Sequence, residues 1–353
     1  MLYVTTRNDR DVYTAQRVLR ESRGPDGGLY VPSRLPSIPA ADLAALPEKS
    51  FNRTVADILN LLFQTELTSW DVDFAIGRYA VRLERLGNRV IVAELWHNLE
   101  AEFPRIVRNL AILMSGVEVT EVRPGSWVEI GVRIAVLFGI FGELIRAGMA
   151  GKGKKVDISM ASGDLSGPVS AWYAREWGLP IGNIICACNE NDALWNFICH
   201  GQMKTGEVAV KTFTPLVDFA LPESLERLIF ANCGVEEVER FLEVVRRGGT
   251  YYMEEAMLHQ LRRGLYVTVA GENRVPDTIR AVFSTNRYVC SPYGALAYSG
   301  LQDYRARTGE SRTALILEER CPLLDEKVVA ATLSLTGEEL KRCVDSRNED
   351  PAL

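Results

Sequence analysis

Residues 156–188 carry the pattern that most narrows the choice of fold. Val156, Ile158 and Met160 alternate with smaller or polar neighbours, and a glycine-bearing turn follows at 161–167. Pro168 then opens a helical stretch that Gly178 can close, and a second apolar run fills 184–188. Strand, turn, helix and strand in that order form a βαβ unit, whose two strands must pair in parallel. The signals recur. Strands are expected at 90–95, 265–269 and 314–317. Helices are expected at 55–63, 71–85, 126–148, 192–199, 235–247, 252–263 and 292–305, and Pro104 opens one more with Ile106, Val107, Leu110 and Met114 on its buried face. The predicted class is α/β, a mainly parallel sheet flanked by helices, with an N-terminal helical extension.

Composition supports a folded chain. Of 353 residues, 47% are hydrophobic and 24% charged, which excludes general disorder and a small disulfide scaffold. Forty Lys and Arg against 46 Asp and Glu give a net charge of −6, so the chain lacks the basic footprint of a nucleic-acid binder. The most apolar run, 134–142, is short and flanked by Arg133 and Glu143, so no membrane span is expected. The opening stretch has no signal-peptide core, which makes the cytoplasm the expected compartment. The seven cysteines show no CxxC pair, and Cys186 and Cys188 read as buried thiols on a strand. Three dispersed histidines offer no zinc site, and no metal is expected.

Three clusters can carry chemistry. Ser162, Gly163, Asp164, Leu165, Ser166 and Gly167 lie between a strand and a helix, where small residues let backbone N–H groups approach a phosphate. The same glycines serve a purely steric turn, and the Asp164 carboxylate would repel a phosphate and cap the helix itself. GKGKK at 151–155 lacks P-loop spacing and reads as a solvated connector. Glu318, Glu319 and Arg320 end a strand, as an active-site carboxylate pair or as a solvated charge cluster.

A run of motifs resembles the threonine synthases, enzymes of the fold type II class that use pyridoxal phosphate. Asp26-Gly27-Gly28-Leu29-Tyr30-Val31-Pro32 resembles their DGGLYVP signature, and Glu94-Leu95-Trp96-His97 their ELFHGPT segment. The 162–167 turn, then Gly178-Leu179-Pro180 and 187–192 (ACNEND), resemble the phosphate loop SGNFGD, GLP and ATNxND in the same order. Residues 200–202 (HGQ), 222–227 (PESLER) and 291–295 (SPYGA) resemble DGQ, PSNFER and (D/E)PHTA. The resemblance implies an N-terminal threonine-synthase-like region over 1–90 and a large α/β domain over 91–353. It also implies that the family's small cofactor-gripping domain is largely deleted around 115–125.

The departures from the family bear on function. The family's cofactor lysine follows FHGPT, where this chain reads His97 through Pro104, and no lysine occurs between Lys49 and Lys152. A Schiff base needs an amine, so no cofactor is expected and no catalytic residue is assigned. The phosphate loop would be vestigial, and so would a pocket drawn from His97, Glu100, Glu102, Phe103 and Glu319, the last near the family's ring-nitrogen partner. Trp96, Trp127, Phe103 and Tyr293 would border the vacated small domain or pack in the core. The resemblance thus implies a non-catalytic relative, a regulatory or scaffolding partner or a binder of a small amino-acid-like ligand, with protein association or self-association expected. Two alternatives remain: an enzyme repurposing the histidine and carboxylates, and a residual pyridoxal phosphate enzyme using a lysine of 151–155.

Overall fold

The computed structural model describes residues 1–77, 81–87, 89–96, 103–116 and 122–346. The chain opens with β1 (Leu2–Thr5), β2 (Asn8–Thr14), α1 (Ala15–Arg20) and β3 (Tyr30–Pro32). The expected helical extension therefore begins as an antiparallel sheet of order β2-β1-β3. Helices α2 (Ala40–Ala44), α3 (Phe51–Phe63) and α4 (Ser69–Ile76) follow.

The expected helix over 71–85 is two elements. Helix α4 stops at Ile76, where Gly77 takes a φ of 75°, and Arg82–Arg85 form strand β4. Strand β4 pairs antiparallel with β5 (Val90–Glu94), and only that partner makes it a strand.

Helices α5 (Phe103–Ser115) and α6 (Trp127–Arg146), strand β6 (Val156–Ala161), helix α7 (Ser166–Glu176) and strand β7 (Ile181–Cys188) follow as the periodicity predicts. Beyond them come α8 (Ala193–His200), β8 (Gln202–Thr205), α9 (Leu225–Cys233), α10 (Val235–Arg247), β9 (Gly249–Tyr252), α11 (Glu255–Leu261) and β10 (Leu265–Val269). The chain continues through α12 (Arg274–Asn286), α13 (Pro292–Thr308), β11 (Ala314–Glu318), α14 (Glu326–Leu333) and α15 (Gly337–Asp345). Tyr252, read as helical, lies in β9 and pairs with Gln202 of β8. Helix α12, absent from the sequence reading, fills the interval before the serine-capped α13.

The central sheet has the order β10-β7-β6-β11-β5-β4 and is parallel except for β4. Strands β5 and β11 are buried at every position, as expected of a parallel sheet covered on both faces. Leu315 and Leu317 face one core with α5, α6 and α7, while Ala314 and Ile316 face another with α12 and α13. This alternation decides where each charged residue at the end of β11 points.

Helix α6 is the spine of the first layer, and glycines let α3 close onto it. A Cβ on Gly131 would stand 2.7 Å from the Phe63 ring, and one on Gly139 2.6 Å from the Phe51 ring. Two sequence motifs also meet. The buried Arg227 guanidinium donates through Nε to the Tyr30 carbonyl at 3.2 Å, and Arg7 pairs with Glu226 at 3.0 Å. The DGGLYVP-like segment and the 222–227 segment are thus two halves of one contact.

Candidate functional site

A cavity of about 350 Å³ opens at the carboxyl ends of β6 and β11. Ligands of open parallel sheets bind at that end, because loops and helix N-termini converge there. Phe103, Met160 and Leu317 supply apolar lining, and Pro215 through Val217 with Phe219 and Tyr293 add more. The 162–167 turn contributes Ser162, Gly163, Asp164 and Gly167, and Glu129, Arg133, Glu319 and Arg320 bring charge.

The turn holds itself in shape. Gly163 and Leu165 both take left-handed backbone, with φ of 49° and 70°. Leucine tolerates this conformation poorly, and its complete burial supplies the compensating packing. The Asp164 carboxylate accepts from the Ser166 backbone N–H at 2.9 Å and from the Ser166 hydroxyl at 2.7 Å. An N–H that opens α7, and that an anion would otherwise use, is thus already bound to the protein's own carboxylate.

Arg133 holds the floor together. It donates through Nε to Glu129 at 2.9 Å, pairs with Glu319, and lies 4.6 Å over the Phe103 ring. Burial alone would lower its pKa, but Glu319 and Glu129 outweigh that loss and raise it above the ordinary value. Burial pushes the Glu129 carboxyl up, against the pull of Arg133 and of the Gly125 N–H. At the rim, Arg320 pairs with Asp325 at 2.8 Å and stands 5.9 Å from the Tyr293 ring centre.

Glu318 and Glu319 do not form an exposed cluster or share a site. Glu319 lines the cavity, while Glu318 points through the sheet to the α13 side and is 1% exposed. There it accepts the Ser291 N–H at 3.0 Å. Burial, with Glu94 beside it on β5, pushes its carboxyl up to about 8.

Of the sequence candidates, Phe103, Glu319 and the turn meet in this cavity. His97, Glu100 and Glu102 lie outside the described residues. Tyr293 lines the cavity, whereas Trp127 is a core residue between Tyr3 and Tyr173, at 5.9 and 5.1 Å. Trp96 is buried on the α13 side of the sheet. Glu129 and Arg133 were missed as site residues. Their signal was a charged pair spaced i, i+4 in the first two turns of a helix whose middle is wholly apolar.

The described lining of the cavity offers pyridoxal phosphate no lysine, and the Asp164 carboxylate already holds the Ser166 N–H and hydroxyl at the turn. The lysines of 151–155 precede β6, whereas the turn follows it, so a strand of six residues, ~20 Å at about 3.3 Å per residue, separates them. Among the described residues, no group of three His, Cys, Asp or Glu side chains can hold a metal ion. No described helix is long and apolar enough to cross a membrane.

Comparison with known proteins agrees with the motifs. The family model for the threonine synthase N terminus matches residues 2–78. Human threonine synthase-like 1 is 24% identical over 175 residues, 49% of this chain and 24% of that protein. Threonine synthase of Schizosaccharomyces pombe is 22% identical over 207 residues, 52% of this chain and 40% of that protein. The chain thus spans well under half the length of the curated relatives it matches. In structure, pyridoxal-phosphate-bound threonine synthase from Brucella melitensis aligns with a TM-score of 0.83 at 18% identity, over 98% of this chain and 94% of that one. The yeast enzyme aligns with a TM-score of 0.82 at 17% identity, over 97% and 93%. On sequence and on fold alike, the chain is similar to the threonine synthases: it carries their N-terminal segment and is folded as they are.

Proposed function

We propose that this chain is a non-catalytic threonine-synthase-like protein that keeps the pocket as a small-ligand site and acts as a regulatory or scaffolding partner. The observation that carries the reading is the Asp164 carboxylate bound to the first N–H and hydroxyl of α7, in a cavity with no lysine among its described lining residues. An anion there would meet a fixed negative charge, and an aldehyde would meet no amine. Without the cofactor's electron sink, chemistry at an amino-acid carbon has no driving group, so the retained fold serves binding.

The association half of the proposal rests on α4. Trp70 and Phe74, one helical turn apart, are 75% and 89% exposed. Aromatic side chains left in water in this way favour a covering surface.

The test is absorption spectroscopy of the purified protein with pyridoxal phosphate, followed by borohydride reduction and intact-mass measurement. No aldimine band and no mass gain are expected. A stoichiometric reduced adduct on one lysine would overturn the reading.

A further inference from the structure

We propose that the cavity at the ends of β6 and β11 takes a small apolar primary amine in its ammonium form, and discriminates against phosphate esters and carboxylates. The proposal rests on the small-ligand reading above and supplies its chemistry.

The charge balance of the cavity carries the argument. Asp164, Glu129 and Glu319 bring three carboxylates to the lining. Arg133 is committed to two of them, through Glu129 at 2.9 Å and through Glu319. Arg320 is committed to Asp325 at 2.8 Å, outside the lining. Both guanidiniums are paired, and the four carboxylates outnumber them; the buried Arg227 behind Asp164 and Glu129 offsets one charge, and the lining stays net acidic. An incoming carboxylate or phosphate would add to this negative excess and compete with Glu129 and Glu319 for Arg133. An ammonium meets acceptors already in place.

The acceptors have capacity to spare. An ionised carboxylate offers about four lone-pair sites. Asp164 uses one site on each oxygen, at 2.9 and 2.7 Å, and remains half-buried at the cavity wall. Glu319 gives Oε1 to Arg133, and its side chain keeps 30% of its surface exposed. Among the described residues, its Oε2 has no hydrogen-bond partner. Glu319 is thus the nearest free acceptor for an ammonium, with Asp164 across the cavity.

The remaining lining selects the body of the ligand. Met160, Leu317 and Leu216 offer no polar side-chain partner, and Phe219 and Tyr293 present rings. Rings favour an ammonium over an anion, through the negative potential of their faces. A volume of about 350 Å³ suits a small molecule rather than a polymer segment. Among the described lining residues, every guanidinium is already paired with a carboxylate, so the ammonium of an amino acid is recognised more readily than its acid group.

The experiment is isothermal titration of the full chain with 2-phenylethylamine, 3-phenylpropionate and inorganic phosphate, in parallel and at two salt concentrations. Saturable amine binding is expected, weakened by salt, with the two anions at least about tenfold weaker. Glu319→Gln removes the acceptor charge and is expected to weaken the amine by about tenfold or more while leaving the circular dichroism spectrum unchanged. Should that variant unfold because Arg133 loses a partner, Asp164→Asn is the second probe, with a smaller loss of amine binding. Equal or tighter binding of phosphate or 3-phenylpropionate would overturn the proposal, as would no amine binding at millimolar concentration. The outcomes separate from those of the cofactor test. A borohydride-fixed adduct sinks the non-catalytic reading, whereas amine failure with a blank cofactor spectrum sinks only the ligand class.

Discussion

Asp164 and Glu318 show how a single carboxyl takes its role from what surrounds it. Asp164 is satisfied locally by Ser166, so Asp164→Ala should leave the α7 N–H without its acceptor and cost about 1 kcal/mol, read as a lower thermal midpoint. Glu318 is the opposite case. Its carboxyl is pushed up to about 8 by burial, from an ordinary 4.5. In the folded state it stays protonated through a range where the unfolded chain has released the proton. Its stabilising share is therefore whole below pH 4.5 and drains away as pH climbs through 8. Urea midpoints should fall between pH 5 and pH 8, and Glu318→Gln, which cannot ionise, should flatten the fall and have the higher midpoint of the two at pH 8. A variant with an unchanged pH slope would contradict this assignment. Phe103, Glu319 and the 162–167 turn were legible as site residues because each follows or flanks a motif. Arg133 was not, because a linear reading sees it as the polar edge of an apolar run and cannot see β11 delivering Glu319 to it. Glu318 was grouped with Glu319, as an active-site pair or a solvated cluster, because the sequence does not show that α13 covers that face of the sheet.

At the scale of elements, the pairing of α3 with α6 depends on missing side chains. Gly139→Ala would place a methyl 2.6 Å from the Phe51 ring, and the helices would have to part. Overpacking of this kind should cost about 1–3 kcal/mol in a denaturant titration. Phe51→Leu in the same chain should recover part of the loss, a coupling that a double-mutant cycle measures directly. The strands β6 and β7 and the helix α6 could be read from their apolar runs, buried on nearly every side, and α10 from its single apolar stripe. Strand β4 could not. Residues 82–85 include two arginines and a glutamate, and their extended form comes from β5 beside them. Strand β2 was missed for the same reason, being largely exposed with little apolar alternation, while β1 and β3 are buried but only four and three residues long.

At the scale of the whole molecule, the N-terminal segment and the sheet domain share one apolar core. Tyr3, Phe51 and Phe63 belong to the same cluster as Ile130, Phe138 and Leu317. A chain lacking residues 1–77 should therefore expose the glycine-lined face of α6, aggregate, and bind a hydrophobic dye, as size exclusion and dye fluorescence would report. A monomeric, dye-silent fragment would show that the two regions fold apart. The exposed Trp70 and Phe74 lead to a separate expectation: Trp70→Ala with Phe74→Ala should lower the self-associated fraction in sedimentation velocity, leaving the melting temperature nearly unchanged.

Glu318 and Glu319 are consecutive along the chain yet serve opposite sides of the sheet, one sealed under α13 and the other wetted by the cavity. Strand phase acts here as an addressing scheme, sending each acid to its compartment by odd or even count. Inserting one residue ahead of Glu318 would bring Glu318 to the cavity position beside Arg133, push Glu319 past it, and leave the sealed compartment to the inserted residue. Length at this strand end should therefore be guarded more strictly than residue identity, a bias that indel scanning along 314–319 would expose.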